Sequence, residues 1–290
     1  MNTISEKAYA KLNISLDVTS RRDDGYHDML MVMQSVSLCD TVTIDFDDSG
    51  EIKASCGLSF IPGDERNLAV KAALVYLEAA GRKPQGMHIK LDKCIPVGAG
   101  MAGGSADAAA VLRALNRYYD RPLDEAALLE LSAKVGSDVP FCLNGGTALA
   151  SGRGEKLECL PGMPDCEFVI CKPSFSISTP ELFKKLDQIN LRHHPDTAGI
   201  IAALGNEDLG QIARRMYNVF EAVDDRRLRV VSAIKHQLLD AGALGAIMTG
   251  TGSAVFGVFR RGSVPKSLCP RLRKEYGFCE SASCAERISV

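Results

Sequence analysis

Net charge is nearly absent from this chain: 34 Lys and Arg stand against 36 Asp and Glu, leaving −2 at pH 7. That balance excludes a nucleic-acid or polyanion surface as the main function, since such surfaces depend on an excess of one sign. No apolar run approaches the length of a membrane span, so membrane insertion is not expected. The opening segment, Met1-Asn2-Thr3-Ile4-Ser5-Glu6-Lys7, has neither the apolar stretch of a secretory signal nor the Arg-rich character of a transit peptide, and a cytoplasmic location is expected. Ten cysteines are present, but no Cys-x-x-Cys pair and no nearby His-x-x-x-His accompany them. Zinc and a disulfide framework are therefore not expected, and the thiols read as reduced and packed. Internal repeats and low-complexity tracts are missing as well.

The chain does have the composition of a globular protein, 46% hydrophobic and 24% charged, and its 290 residues suffice for two modest domains. Its strongest local feature is the run Pro96-Val97-Gly98-Ala99-Gly100-Met101-Ala102-Gly103-Gly104-Ser105-Ala106, followed at once by an alanine-rich helical pattern. Glycine lets the backbone turn sharply and lie against a ligand. The free N–H groups and dipole of a first helical turn favour an anion, so the run suits a phosphate. A Walker loop is excluded, because Ser105-Ala106 follows Gly104 where Lys-Ser/Thr is required. Gly98-x-Gly100-x-x-Gly103 matches the dinucleotide fingerprint, but the helix leads into a second helical pattern with no intervening strand ending in an acidic residue. A tight turn without a ligand would need fewer glycines.

Alternation over residues 8–18 predicts a strand with Ala8, Ala10, Leu12, Ile14, Leu16 and Val18 toward the core. Tyr9, Lys11, Asn13, Ser15 and Asp17 then lie on the face away from it. Asp23-Asp24-Gly25 marks a turn, residues 29–38 and 41–46 read as two further strands, 67–80 as a helix, and 87–91 as a strand feeding the glycine run. Asp124 and Gly136 frame another helix. The pattern restarts near residue 158, with Leu160-Pro161-Gly162-Met163-Pro164 as a linker, so domains of residues 1–158 and 159–290 are expected. In the second, 168–172 is a strand, Thr179-Pro180 opens a helix, and 187–205 is weakly patterned. Helices are expected around 208–223 and 228–241, and a turn at 249–254 separates strands 246–248 and 255–259. This irregular order of strands and helices indicates an α+β fold.

Four separated segments belong together: Ala10-Lys11-Leu12-Asn13, the glycine run, Gly136-Ser137-Asp138-Val139-Pro140-Phe141, and Gly250-Thr251-Gly252-Ser253. In this order they resemble the GHMP small-molecule kinases, over nearly the whole chain. Arg21-Arg22-Asp23-Asp24-Gly25-Tyr26-His27 and Ser178-Thr179-Pro180-Glu181-Leu182-Phe183 narrow the resemblance to one branch of that family. Its members phosphorylate the 2-hydroxyl of a cytidine diphosphate-linked methylerythritol in the non-mevalonate route to isoprenoid precursors. The resemblance implies two lobes around a central cleft, an ATP-binding N-terminal lobe of the ribosomal protein S5 domain 2-like type and a smaller α/β sandwich. It further implies ATP as co-substrate with Mg2+, a small-molecule partner with no nucleic acid or membrane, and a monomer or homodimer.

Phosphoryl transfer relies on positioning and electrostatic clamping, and the resemblance distributes those tasks. Residues Pro96 to Ala106 would wrap the ATP phosphates, with Ser105 on a phosphate or the magnesium and Asn67 near the adenine. Asp138 would take the proton from the substrate hydroxyl, while Lys11 would hold that carboxylate and offset charge on the transferred group. Tyr26 and Phe183 would sandwich the cytosine and His27 would hydrogen-bond its edge, since stacking alone accepts any base. Asn13 would contact the substrate near the transferred hydroxyl, and Gly250, Thr251, Gly252 and Ser253 would close over its diphosphate. No acidic pair stands out as a metal site, so the metal ligands stay unassigned.

Taken alone, the residues leave plainer roles open. Lys11 suits a solvated strand face, Asp138 and Asn67 suit helix N-caps, and Tyr26 and His27 suit a surface. Phe183 suits a core, and the second glycine turn suits a simple hairpin. Tyr9, Ala102 and Ala106 depart from the family pattern, in which Pro, Gly and Ser are common, and Ala102 then needs a backbone angle open to non-glycine residues. Two other functions compete. One is a GHMP kinase for homoserine, mevalonate or a sugar, to which a nucleobase pocket would be superfluous. The other is a catalytically silent ligand-binding protein, against which the presence of both Lys11 and Asp138 counts.

Overall fold

A long antiparallel hairpin, β1 (Thr3–Arg21) and β2 (His27–Asp47), turns at Asp23-Asp24-Gly25 and organises the first half of the computed structural model, which describes residues 3–83 and 85–288. Residues 29–46 thus form one strand rather than two. The apparent break near Leu38 marks a change of neighbour. On the edge away from β1, β2 pairs first with β5 (Thr147–Gly152) and then with β4 (Gly86–Asp92). The end of the chain fills the gap between them: Val36 bridges Cys284, and Ala285 N donates to Ser35 O at 2.8 Å. β3 (Ile52–Cys56) and β6 (Lys156–Cys159) extend the sheet beside β4 and β5.

Four helices pack in this half: α1 (Leu68–Ala79), α2 (Gly103–Tyr118), α3 (Glu125–Val135) and α4 (Val139–Asn144). Residues 106–116 of α2 are all buried, and its alanines let the helix lie close to β1, α1 and α4. Arg113 within it donates to Cys142 O at 2.8 Å and Lys7 O at 2.7 Å, tying the end of α4 to β1. Asp124 caps α3 and Gly136 ends it, as the sequence predicts.

β7 (Cys166–Lys172), β9 (Gly245–Met248), β10 (Val255–Arg260) and β11 (Phe278–Ser283) form a second, antiparallel sheet in the order β11-β7-β10-β9. α8 (Arg226–Asp240) packs on β9 and β10, and α9 (Leu268–Tyr276) on β7 and β11. Phe168, Phe256 and Phe259 are fully buried on these strands. α5 (Thr179–Leu186), α6 (Thr197–Gly205) and α7 (Leu209–Arg215) connect the two halves of this region. Among the described residues no helix is long and apolar enough to cross a membrane.

Three expectations are corrected. The weakly patterned 187–205 stretch contains α6, which Asp196 caps by accepting from Gly199 N at 2.9 Å. Residues 208–223 are not one helix: α7 ends at Arg215, Tyr217–Asn218 form β8 parallel to β1, and Val219–Ala222 make a 3-10 turn. The polar face of β1 does not point to solvent. Lys11 is 4% exposed, Asn13 and Ser15 0%, and Asp17 6%, because the second half of the chain covers that face. Bulges at Tyr9/Lys11, Asn13/Ser15 and Val18/Ser20 also break the strict alternation.

Asn67 serves α1 as an N-cap: its Oδ1 accepts from Ala69 N at 3.0 Å and its Nδ2 donates to Pro62 O at 2.8 Å. Replacing a cap of this kind costs about 1 kcal/mol. Asn67→Ala is therefore expected to lower unfolding free energy by about that amount in a urea titration.

Candidate active site

The glycine run leaves β4 through Lys93-Cys94-Ile95, and Asp40 on β2 pins that approach. Asp40 Oδ1 accepts from Cys94 N at 2.6 Å and Ile95 N at 2.7 Å. Gly98 and Gly100 then take φ of +63° and +76°. A Cβ on Gly100 would stand 2.2 Å from Thr249 O, and one on Gly250 2.8 Å from Gly100 O. The two glycine turns thus pack backbone on backbone, at a distance only glycine permits. Ala254 N donates to Ala99 O at 3.2 Å across the same contact. Ala102 sits at φ 57° and ψ 32°, so its backbone angle is the left-handed one, which costs an alanine about 1 kcal/mol.

Ala99, Met101 and Ala106 turn into the core, while Val97, Gly98 and Gly104 are exposed and Pro96, Gly103 and Ser105 half-buried. Ala106 N is the first amide of α2 with a backbone partner, Ala102 O at 2.8 Å; those of Gly103, Gly104 and Ser105 have none among the described residues. Three open donors at the positive end of a helix make an anion site.

A cavity of about 630 Å³ opens beside this run, lined by Lys11, Gly98, Gly100, Asp138, Gly250, Thr251 and Gly252, with Tyr26, His27 and Phe183 further along. Lys11 Nζ donates to Asn13 Oδ1 at 2.6 Å. That oxygen also accepts from Gly250 N at 3.0 Å and Thr249 Oγ1 at 3.3 Å. Asn13 is fully buried and is not part of the cavity lining. Asp138 occupies the N-cap position of α4 but its carboxylate makes no capping bond, so it is left to the cavity. Ser253 is fully buried and donates to Phe175 O at 2.5 Å, outside the lining. Thr251 meets Thr179 hydroxyl to hydroxyl at 2.7 Å.

At the other end, the His27 ring stacks on Phe183 with centroids 4.6 Å apart and planes 23° apart, and Phe183 meets Phe220 edge-on at 4.8 Å. His27 Nε2 lies 2.7 Å from Asp187 Oδ1, which sets the orientation of the imidazole. Tyr26 stands at the rim, 56% exposed, with the Arg153 guanidinium over its ring. No motif marks Asp187, Phe220, Arg153 or the buried Asn218 in the sequence. Asn218 donates from Nδ2 to Met248 O and Gly250 O, each at 2.8 Å, and so holds the second glycine turn from behind.

Beneath the glycine run lies a buried ionic cluster. Lys93 Nζ reaches Asp40 Oδ2 and Asp107 Oδ2, both at 2.5 Å, while Asp107 Oδ1 has no partner. Burial pushes the Asp107 carboxyl up to about 7, against the pull of Lys93 and with the help of the Asp40 charge. No group of three His, Cys, Asp or Glu is placed to hold a metal ion among the described residues.

Fold and site define a kinase of the GHMP class. The N-terminal domain model of the GHMP kinases matches residues 67–146, and the C-terminal model matches 200–277. A 4-diphosphocytidyl-2-C-methyl-D-erythritol kinase from Listeria monocytogenes is 44% identical over 277 residues, covering 96% of this chain and 94% of the relative. One from Lachnospira eligens is 42% identical over 259 residues, covering 89% and 90%. A crystal structure of a 4-(cytidine 5'-diphospho)-2C-methyl-D-erythritol kinase superimposes with a TM-score of 0.80 at 32% identity, covering 97% of this chain and 99% of that one. Homoserine kinase from Cytophaga hutchinsonii shares the fold, with a TM-score of 0.75 at 20% identity and coverage of 99% and 96%. The chain belongs to the family of the 4-diphosphocytidyl-2-C-methyl-D-erythritol kinases, and it is an ATP-dependent small-molecule kinase.

The Asp107 carboxyl binds its proton more tightly in the folded protein than in the unfolded chain. Its contribution to stability is therefore full below the ordinary carboxyl range and declines as pH rises through about 7. Asp107→Asn is expected to flatten the pH dependence of unfolding free energy between about pH 4 and pH 7, measured by urea unfolding at each pH. An unchanged slope would show that Asp107 does not titrate there.

Proposed function

We propose that this kinase transfers the γ-phosphoryl group of ATP to the 2-hydroxyl of 4-diphosphocytidyl-2-C-methyl-D-erythritol, a step of the non-mevalonate route to isoprenoid precursors. The observation that carries the reading is one continuous cavity. It runs from the glycine turns past Lys11 and Asp138 to the His27–Phe183 stack, so a phosphate donor and a nucleobase-bearing acceptor can meet at one carboxylate.

The amides of Gly103, Gly104 and Ser105 take the phosphates of ATP, and the rest of the run from Pro96 to Ala106 shapes the loop around them. Asp138 accepts the proton of the substrate hydroxyl as its oxygen bonds to the γ-phosphorus and the bond to the departing ADP oxygen breaks. Lys11, buried and oriented by Asn13, places its ammonium where negative charge accumulates on the transferred group. Magnesium, when bound with ATP, neutralises phosphate charge. Mg2+ is commonly held by substrate phosphates, water and few protein oxygens, and the half-buried Ser105 hydroxyl on the first turn of α2 suits that sparse donor set. The His27 ring, held by Asp187, presents an imidazole edge to the cytosine while Phe183 and Tyr26 supply aromatic faces. Asn67 contributes to the adenine side through the end of α1 that it caps. Thr251 and its neighbouring glycines close on the substrate's diphosphate.

Purified protein with magnesium-ATP is expected to release ADP with the cytidine substrate and not with homoserine or mevalonate. CDP should compete with that substrate; failure to compete would remove the cytidine pocket. Asp138→Asn is expected to cut turnover by about 10²- to 10⁴-fold while leaving CDP affinity nearly intact. Turnover unchanged in that variant would take Asp138 out of the mechanism.

A further inference from the structure

Two glycines bracket Arg153 at the tip of the β5–β6 hairpin, Gly152 with φ +67° and Gly154 with φ +110°. Gly154 N donates to Ser151 O at 3.1 Å and Arg153 N to Glu155 Oε2 at 2.7 Å, so the tip is a defined turn. It rests against the site. A Cβ on Gly154 would come within 3.2 Å of Met31 Cε and 4.0 Å of Ser137 O, the residue before Asp138. From this tip the exposed Arg153 side chain lines the cavity and lays its guanidinium 4.9 Å from the centroid of the Tyr26 ring.

The two neighbouring arginines are otherwise engaged. Arg21 pairs with Asp187, and Arg22 with Asp24 and Asp28. Arg153 forms no ion pair among the described residues, so its guanidinium, like the Lys11 and Lys184 ammonium groups, remains available on the cavity wall. Its only partner there is an aromatic face, a weak association at an exposed site. A phosphate anion, which a guanidinium can grip with two parallel N–H donors, outcompetes it.

We infer that Arg153 binds the diphosphate of the acceptor substrate. The inference rests on the cytidine-diphosphate reading given above. The argument is one of order along the cavity. The base belongs at His27 and Phe183, and the reacting hydroxyl belongs at Asp138. The diphosphate lies between base and polyol in the substrate, and the hairpin tip that carries Arg153 likewise reaches Tyr26 through its guanidinium and the Ser137–Asp138 loop through Gly154. Stacking on Tyr26 stores the guanidinium close to that position when the cavity is empty.

The test compares the affinities of CDP and cytidine for the wild type, Arg153→Met and Arg153→Lys by calorimetry, together with KM for each substrate. Arg153→Met is expected to weaken CDP by about tenfold or more, with Arg153→Lys recovering part of the loss, and to change cytidine by less than about twofold. KM for the cytidine substrate should rise accordingly while KM for ATP stays unchanged. Equal losses for CDP and cytidine would overturn the inference in favour of a stacking role through Tyr26. A loss confined to ATP, or no loss at all, would overturn it as well. A wild type that binds no CDP would overturn the cytidine reading itself, and this inference with it. Because Arg153 is exposed, the melting temperature should be the same in all three proteins.

Discussion

One amide oxygen holds the centre of this molecule together. Asn13 Oδ1 receives the Lys11 ammonium, the Gly250 amide and the Thr249 hydroxyl, groups that lie up to 237 residues from it along the chain. A buried ammonium must have an acceptor, and a carboxylate would supply one. A carboxylate would also neutralise it. An amide satisfies the hydrogen bond and leaves the charge of Lys11 free to act on the cavity, which a reaction that gathers phosphate charge requires. The same oxygen anchors the second glycine turn, whose backbone then presses on Gly100 and sets the position of the first.

Rigidity at this junction comes from two buried asparagines working from opposite sides. Asn13 grips Gly250 through its amide N–H, and Asn218 grips Gly250 and Met248 through their carbonyls. Both side chains are almost entirely inaccessible to water, so releasing either would leave several polar groups unpaired. The second glycine turn is therefore preorganised by side chains that do not line the cavity. This also explains the polar face of β1. It is buried because it forms the seam on which the second half of the chain, through β8 and the second glycine turn, is mounted.

What could be read from the sequence was local, and what could not was relational. Asn67 and Asp124 were legible as caps and α2 as a helix, because capping and periodicity depend on neighbours within a few residues. The four motif segments were legible as a set, and Lys11, Asp138, Gly98, Gly100, Gly250 and Gly252 do line one cavity. The length of β2 was not legible, because its sequence interruption records an exchange of partners, from β5 to β4, that only the folded sheet displays. The break after Arg215 was hidden for a similar reason: Asn218 is called out of a helix by two carbonyls on a distant turn. Asp187, which orients His27 from 160 residues away, lay at the start of the weakly patterned stretch. Asn13 matched its motif, yet the structure gives its acceptor to Lys11, Thr249 and Gly250 and keeps it off the cavity wall.

The buried cluster under the glycine run bears on how two anions can be accommodated so close together. Asp40, Lys93 and Asp107 fully ionised would leave one net negative charge near the first turn of α2, opposing the field that draws phosphate there. Burial works against that arrangement. The Asp107 carboxyl, with one oxygen unpartnered among the described residues and its pKa pushed up to about 7, keeps its proton until pH approaches that value. Lys93 is then balanced by Asp40 alone. Asp40 has a second duty, since its other oxygen holds the Cys94 and Ile95 amides at the entrance to the run. A lysine at this point thus lets a carboxylate organise the loop from below without weakening the anion site above it. A neutral side chain at position 40 could accept those amides through one oxygen, but it would leave the Lys93 ammonium dependent on Asp107 and draw that group into ionising. The loop geometry and the charge that the loop presents are in this way determined by the same three residues.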